Sequence, residues 1–228
     1  MSGAAGAHHV EVPRTARYYT VGDAAAARAA WVVLHGYGQL AGYFIRHFAP
    51  LAEGRLVVAP EALSRFYLES REGDAGAHGR RIGATWMTRE DRDAEMRDYV
   101  RYLDLALAAA ALDVDWARTP LGVLGFSQGT ATACRWLQAR AARGVAPAAR
   151  LVLWAGEVPP DLDLDAPWLR ATRLTIVVGD ADPYATPTYV AALRERLDAH
   201  GVAYELVPFA GGHQLDGPTL ARIVDVPA

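Results

Sequence analysis

Ser127 is the residue of this sequence best placed to do chemistry. It stands at the centre of Gly125-Phe126-Ser127-Gln128-Gly129, between the apolar run Leu121-Gly122-Val123-Leu124 and a helical pattern over 130–143. A G-x-S-x-G joining a buried strand to a helix is the sequence form of a nucleophile elbow, a strained turn that lifts a serine hydroxyl above the end of a sheet. The flanking glycines have a physical task, because a Cβ at either position would collide with the neighbouring strand or helix. The helix that follows presents its positive end to the serine and favours negative charge developing there. The chain holds only four serines, so abundance does not account for this context. A tight strand-to-helix turn with an incidental serine is the plainer alternative.

A serine hydroxyl attacks an acyl carbon only when a base takes its proton, and an acid must hold that base in the right tautomer. On an open α/β sheet such groups gather where strands end, here in the chain order Ser, acid, His. His213 follows the last apolar run within Ala210-Gly211-Gly212-His213-Gln214 and is the candidate base. His47 lies in a helical pattern, His78 in a long loop, and His200 at a helix C-terminus. His8 and His9 read as tail residues. The acid is sought in Gly179-Asp180-Ala181-Asp182-Pro183 and in Trp154-Ala155-Gly156-Glu157. Asp182 is favoured, since a residue before proline is held extended and can aim its side chain outward. Asp180 is then the residue that braces the turn, and Asp180 and Glu157 remain the alternatives. An oxyanion needs two donors: the Gln128 backbone N–H, and a second from His35-Gly36-Tyr37-Gly38-Gln39, for which Tyr37 is the choice. His35 precedes the elbow and reads as a brace of its own loop.

These groups must be carried by a scaffold, and the rest of the sequence supplies one. Short, continuous, unalternating apolar runs at 31–34, 55–59, 121–126, 150–154, 174–178 and 203–207 read as strands covered on both faces. A weak strand is expected at 16–21. Helical patterns lie at 41–52, 89–112, 130–143 and 187–200; the second places Met96, Tyr99, Val100, Leu103 and Leu107 on one face. Alternating strands and helices give a parallel sheet with right-handed crossovers, hence a three-layer α/β/α sandwich. Residues 1–15 read as a flexible lead and 16–228 as one domain. The segment 61–88 has no clear periodicity, and loops of that length are usually functional or disordered. Its Phe66, Trp86 and Met87 are too apolar for a linker and are expected as walls of a substrate pocket. A satellite cluster closing the core is the alternative.

Composition narrows the partners. With 228 residues, 52% of them hydrophobic, and a formal charge of −3, nothing argues for nucleic acid or an anionic membrane. One cysteine, Cys134, excludes an internal disulfide and reads as a buried, inert thiol. No run approaches the length of a membrane span, and no leader peptide is evident. The expectation is a cytoplasmic protein without stable membrane association, monomeric or homodimeric.

Taken together, Leu34-His35-Gly36-Tyr37-Gly38, Gly125-Phe126-Ser127-Gln128-Gly129, Gly179-Asp180-Ala181-Asp182-Pro183 and Gly212-His213 resemble the phospholipase/carboxylesterase family of α/β-hydrolases. That family includes acyl-protein thioesterases and small bacterial carboxylesterases. The resemblance spans about residues 31–216. It implies an α/β-hydrolase fold, Ser127, Asp182 and His213 as triad, and Tyr37 with Gln128 as oxyanion donors; no separate cap domain is expected within the available length, which leaves an open site. The expected activity is hydrolysis of short- to medium-chain carboxylic esters, with no metal or cofactor. A thioesterase, lysophospholipase, perhydrolase or lactone-opening enzyme would use the same triad, and a catalytically silent binding protein is the rival from another class. Two departures bear on substrate: Tyr184-Ala185-Thr186-Pro187 replaces the family's usual Val-Pro after the acid, and 61–88 differs from the usual loop apart from Trp86.

Overall fold

The computed structural model describes residues 6–69 and 81–225. Seven strands form the main sheet: β1 (Tyr18–Val21), β2 (Ala29–Leu34), β3 (Arg55–Pro60), β6 (Leu121–Phe126), β7 (Arg150–Trp154), β8 (Arg173–Gly179) and β9 (Tyr204–Phe209). Their order is β1-β3-β2-β6-β7-β8-β9, parallel throughout except for β1, which runs antiparallel to β3. The outer β4 (Ser64–Tyr67) and β5 (Ile82–Thr85) form a separate antiparallel pair.

The helices are α1 (Ala41–Phe44), α2 (Arg92–Ala110), α3 (Gln128–Ala142), α4 (Pro167–Arg170), α5 (Pro187–Ala199) and α6 (Gly217–Asp225). On one sheet face, Val32, Leu34, Val123 and Leu151 pack with Tyr99, Leu103 and Leu107 of α2, Trp136 and Leu137 of α3, and Leu193 and Leu197 of α5. On the other, Trp31, Val33, Leu124 and Val152 meet Phe44, Phe48 and Ile223. Successive strand residues thus enter opposite cores, which is why the strand sequences show no polar alternation. The result is the three-layer α/β/α sandwich that the pattern implies.

The structure differs from the sequence expectation in three places: one expected helix, two short helices and the segment 61–88. The helix expected at 41–52 is α1 followed by two short 3₁₀ turns, Ile45–His47 and Ala49–Leu51. Pro50 has no N–H to give and its ring excludes the carbonyl one turn back, so a regular helix cannot pass through it. The apolar residues keep their task even so, and Phe44, Ile45 and Phe48 are buried. The short helices α4 and α6 were not anticipated. Helix α6 carries a local signal for its start: Asp216 Oδ2 accepts from the Thr219 N–H at 2.9 Å, and Leu220, Ile223 and Val224 follow on one buried face. Lastly, the segment 61–88 contains β4 and β5 where irregular chain was expected. Of that segment, 70–80, with His78, lie outside the described residues, as do 1–5 of the expected lead and 226–228. Residues 6–17 have no regular structure and reach α2, where Glu11 pairs with Arg101 at 3.1 Å, and His9 meets Asp91 at 2.8 Å just before the helix begins.

Cys134 is fully buried in α3, and burial pushes its thiol up to about 12. It is inert at neutral pH.

The helix α3 packs against β2 so closely that its second residue must be glycine. A Cβ on Gly129 would sit 2.3 Å from the Leu34 carbonyl oxygen, and one on Gly125 would sit 2.3 Å from the Gly129 oxygen. Alanine in a helix is ordinarily favoured over glycine by about 1 kcal/mol. Gly129→Ala is therefore expected to reverse that sign and destabilise the fold by about 3 kcal/mol, measured by urea unfolding.

Candidate active site

Ser127 links the end of β6 to the start of α3 with φ 53° and ψ −119°, a conformation that L-residues rarely adopt. Its neighbours hold it there. Its N–H donates to the Trp154 carbonyl at 2.8 Å, and its own carbonyl lies 2.7 Å from the Thr130 hydroxyl oxygen. The same hydroxyl oxygen is 2.9 Å from the Glu157 carbonyl, so the turn is tied to the loop after β7.

His213, on the loop between β9 and α6, places Nε2 3.0 Å from Ser127 Oγ. Its Nδ1 lies 2.8 Å from Asp182 Oδ2. A carboxylate accepts, so Nδ1 carries the hydrogen and the Nε2 lone pair faces the serine hydroxyl. The Asp182 side chain is wholly buried and takes a second hydrogen bond at Oδ1, 2.9 Å from the Tyr184 N–H. The imidazole is held between the rings of Phe126 and Tyr184, with centroids at 5.1 and 4.8 Å. Asp180 points elsewhere: its Oδ1 accepts from the Gly211 N–H at 2.9 Å and fixes the loop that carries His213. Glu157 is exposed on the cleft wall and makes no contact with His213 among the described residues. Of the three candidate acids, the fold brings only Asp182 to the imidazole.

The loop 35–39 crosses in front of the elbow. A Cβ on Gly36 would lie 3.1 Å from Ser127 Cβ. The Tyr37 and Gln128 backbone N–H groups have no partner among the described residues, while the neighbouring Gly36 and Gly38 N–H groups are engaged. The Gly36 N–H donates to Gln39 Oε1 at 2.8 Å, and the Gly38 N–H to the Ala84 carbonyl at 2.9 Å. His35 is buried, with Nδ1 2.8 Å from the Gly36 carbonyl and Nε2 accepting from the Ala62 N–H at 3.1 Å. This fixes its tautomer and makes it a brace rather than a base.

Strand β5 buttresses this loop. Gln39 and Ala84 form an antiparallel bridge, and a Cβ on Gly83 would be 2.5 Å from the Gly38 oxygen. The Gln128 side chain clamps β5 from the other side. Its Oε1 accepts from the Trp86 N–H at 3.1 Å, and its Nε2 donates to the Met87 carbonyl and Thr85 Oγ1, both at 2.9 Å. Gln128 was singled out from sequence for its backbone alone. The reach of its side chain to residues some forty positions earlier has no local signature.

An open cleft of about 620 Å³ runs from Ser127 and His213 along α3. Met87, Ala131, Thr132, Tyr184 and Tyr189 are among its walls. Of the three residues expected as pocket walls, Met87 lines this cleft and Trp86 and Phe66 do not. Trp86 lies behind the wall, 2% exposed, its Nε1 donating to the His35 carbonyl at 2.8 Å. Its indole is large enough to fill the space under the hairpin, so it serves the core. Phe66 lies outside the cleft lining and stacks on Tyr37, with ring centroids at 5.0 Å. Among the described residues no group of three or more His, Cys, Asp or Glu is arranged to hold a metal ion.

Burial lowers the His35 pKa from 6.5 to about 4, against a smaller opposing pull from its hydrogen bond to the Gly36 carbonyl. A histidine kept neutral in the folded state takes up its proton first in the unfolded chain. Stability is therefore full above pH 6.5 and falls as the pH drops toward 4, by roughly 3 kcal/mol. Chemical unfolding across this range should show that slope, and His35→Gln should flatten it.

The comparisons with known proteins agree with this architecture. The family described as Serine hydrolase (FSH1) matches residues 29–225. Among solved structures, the acyl-protein thioesterase 2 of Zea mays is 18% identical with a TM-score of 0.66, covering 92% of this chain and 98% of that one. A carboxylesterase from Mesorhizobium loti is 18% identical with a TM-score of 0.67, covering 93% and 95%. The Bacillus cereus carboxylesterase is 15% identical with a TM-score of 0.63, covering 91% of each. These likenesses establish the α/β-hydrolase fold. No curated protein matches the chain. A family match over nearly the whole sequence, across a fold that sets a serine beside an imidazole, fixes the lineage: the chain belongs to the FSH1 family of serine hydrolases.

Proposed function

We propose that the protein hydrolyses carboxylic esters of short to medium acyl chains through an acyl-enzyme on Ser127. The observation that carries this reading is the continuous chain Ser127 Oγ, His213 Nε2, His213 Nδ1, Asp182 Oδ2, with links of 3.0 and 2.8 Å. In the first half-reaction, His213 Nε2 takes the hydroxyl proton as Oγ attacks the acyl carbon. Asp182 keeps the hydrogen on Nδ1 and stabilises the imidazolium that forms. The oxyanion is received by the Tyr37 and Gln128 N–H groups, which have no other partner among the described residues. The imidazolium then protonates the leaving alkoxide. Water enters in the second half-reaction, gives a proton to Nε2 as it attacks the acyl carbon, and the imidazolium returns that proton to Ser127 Oγ as the Oγ–acyl bond breaks and the acid is released.

The open cleft supports chains of modest length. Apart from the described β4–β5 pair, which lies against the loop 35–39, no additional layer covers the serine among the described residues. A thioester or a lysophospholipid would meet the same hydroxyl, imidazole and amides. No helix among the described residues is long and apolar enough to cross a membrane.

Ser127→Ala is expected to abolish release of p-nitrophenol from p-nitrophenyl butyrate, and to abolish labelling by a fluorophosphonate, with the circular-dichroism spectrum unchanged. Asp182→Asn should retain labelling at a much lower rate, with kcat reduced on the order of 10³–10⁴-fold. Wild-type turnover by the Ser127→Ala protein would reject the reading.

A further inference from the structure

The far end of the cleft carries more positive charge than the ester chemistry requires. Helix α3 lines the cleft with Gln128, Ala131, Thr132 and Arg135, the spacing of one helical face. At 1.5 Å per residue, Arg135 stands roughly 10 Å along the helix from Gln128. Arg89 and Arg92, around the start of α2, line the same cleft.

The pairing within this cluster is unequal. Arg135 donates to Asp161 through Nε and Nη2 at 2.8 and 2.7 Å, and its Nη1 lies 3.5 Å from Met87 Sδ. Arg92 Nη2 approaches the same Asp161 carboxylate at 3.1 Å, while its Nη1 lies 3.7 Å from the exposed Asp93. Two guanidinium groups therefore share Asp161. Arg89 is exposed and has no ion-pair partner among the described residues. Glu157 also lines the cleft. The cluster already holds one carboxylate in the two-pronged manner that suits a guanidinium fork, and Arg89 offers the same fork unfilled.

We propose that the site selects esters whose acyl half carries a terminal carboxylate that reaches the arginine-lined end of the cleft, with Arg89 as the specificity-determining residue. This rests on the ester-hydrolase reading of Ser127 and names its substrate class. Arg92 and Arg135 contribute to the positive field that draws the anion along the cleft. The acyl half stays covalently attached to Ser127 between the two half-reactions, so a contact at its far end orients the carbonyl in both.

The test compares p-nitrophenyl hydrogen suberate with its methyl ester, p-nitrophenyl methyl suberate, which has the same chain without the charge. At low ionic strength kcat/KM is expected to favour the carboxylate by about tenfold, and the ratio should shrink in about 0.5 M NaCl. Arg89→Gln should bring the ratio to about one, and Arg89→Lys should keep part of it. Equal kcat/KM for the two esters with the unaltered protein would overturn the proposal and leave the ester-hydrolase reading standing. So would a preference that Arg89→Gln does not change, or an equal loss for both esters in that variant. No turnover of either ester, with Ser127 unlabelled by a fluorophosphonate, would bring down both readings together.

Discussion

The backbone of Ser127 costs energy where it stands. A non-glycine residue at φ 53° and ψ −119° is strained by about 1–3 kcal/mol and persists only when its surroundings leave it no alternative. Here the surroundings are two glycines that let α3 and β2 close to backbone contact, a hydrogen bond from the Ser127 N–H to β7, and the Thr130 hydroxyl against its carbonyl. In return the turn holds Oγ clear of the sheet and frees the next N–H, that of Gln128, for a ligand. Every other part of the site is positioned relative to this one residue.

The second support is the β4–β5 pair, which carries no group of the proposed reaction itself. Its strand β5 fixes the loop 35–39 by pairing with Gln39, and Gln128 ties the end of that strand to α3. Behind it, the buried Glu61 is gripped by Arg17 and Arg65 at 2.7 Å from each. Burial alone would raise the Glu61 pKa, yet the two guanidinium groups outweigh it and hold the carboxyl below its ordinary range. The next N–H, of Ala62, donates to His35. A run of polar contacts thus links a buried charge cluster to the loop beside the serine, and its members are satisfied from several elements at once.

The parts of the fold that were legible in the sequence are those set by local rules. The inner strands of the central sheet are buried on both faces, so their apolar runs are unbroken and their order along the chain can be read directly. The elbow could be read because its geometry demands glycine at 125 and 129. His213 and the candidate acids Asp182, Asp180 and Glu157 could be sought at strand ends because a sheet edge collects the residues that follow its strands. What stayed hidden depends on encounters between distant segments. The pairing of β4 with β5 joins chain on either side of 70–80, and the flanking sequences show no period of their own. Trp86 and Phe66 were read as pocket walls because apolar side chains in a long loop can face a ligand or the core equally well, and only packing decides between them. The Arg89, Arg92 and Arg135 cluster joins the segment before α2, the start of α2 and the middle of α3, segments some forty positions apart that carry no local sign of their meeting.

The sequence alone determined the layered α/β architecture and the position of Ser127, of a short list of later carboxylates and of His213 at strand ends, because periodicity and turn chemistry act over a few residues and are written locally. The tertiary structure decided which carboxylate faces the imidazole, which aromatic ring lies under the hairpin, and where the arginines converge. Those outcomes depend on distances between residues tens of positions apart, and such distances exist only after the chain has folded.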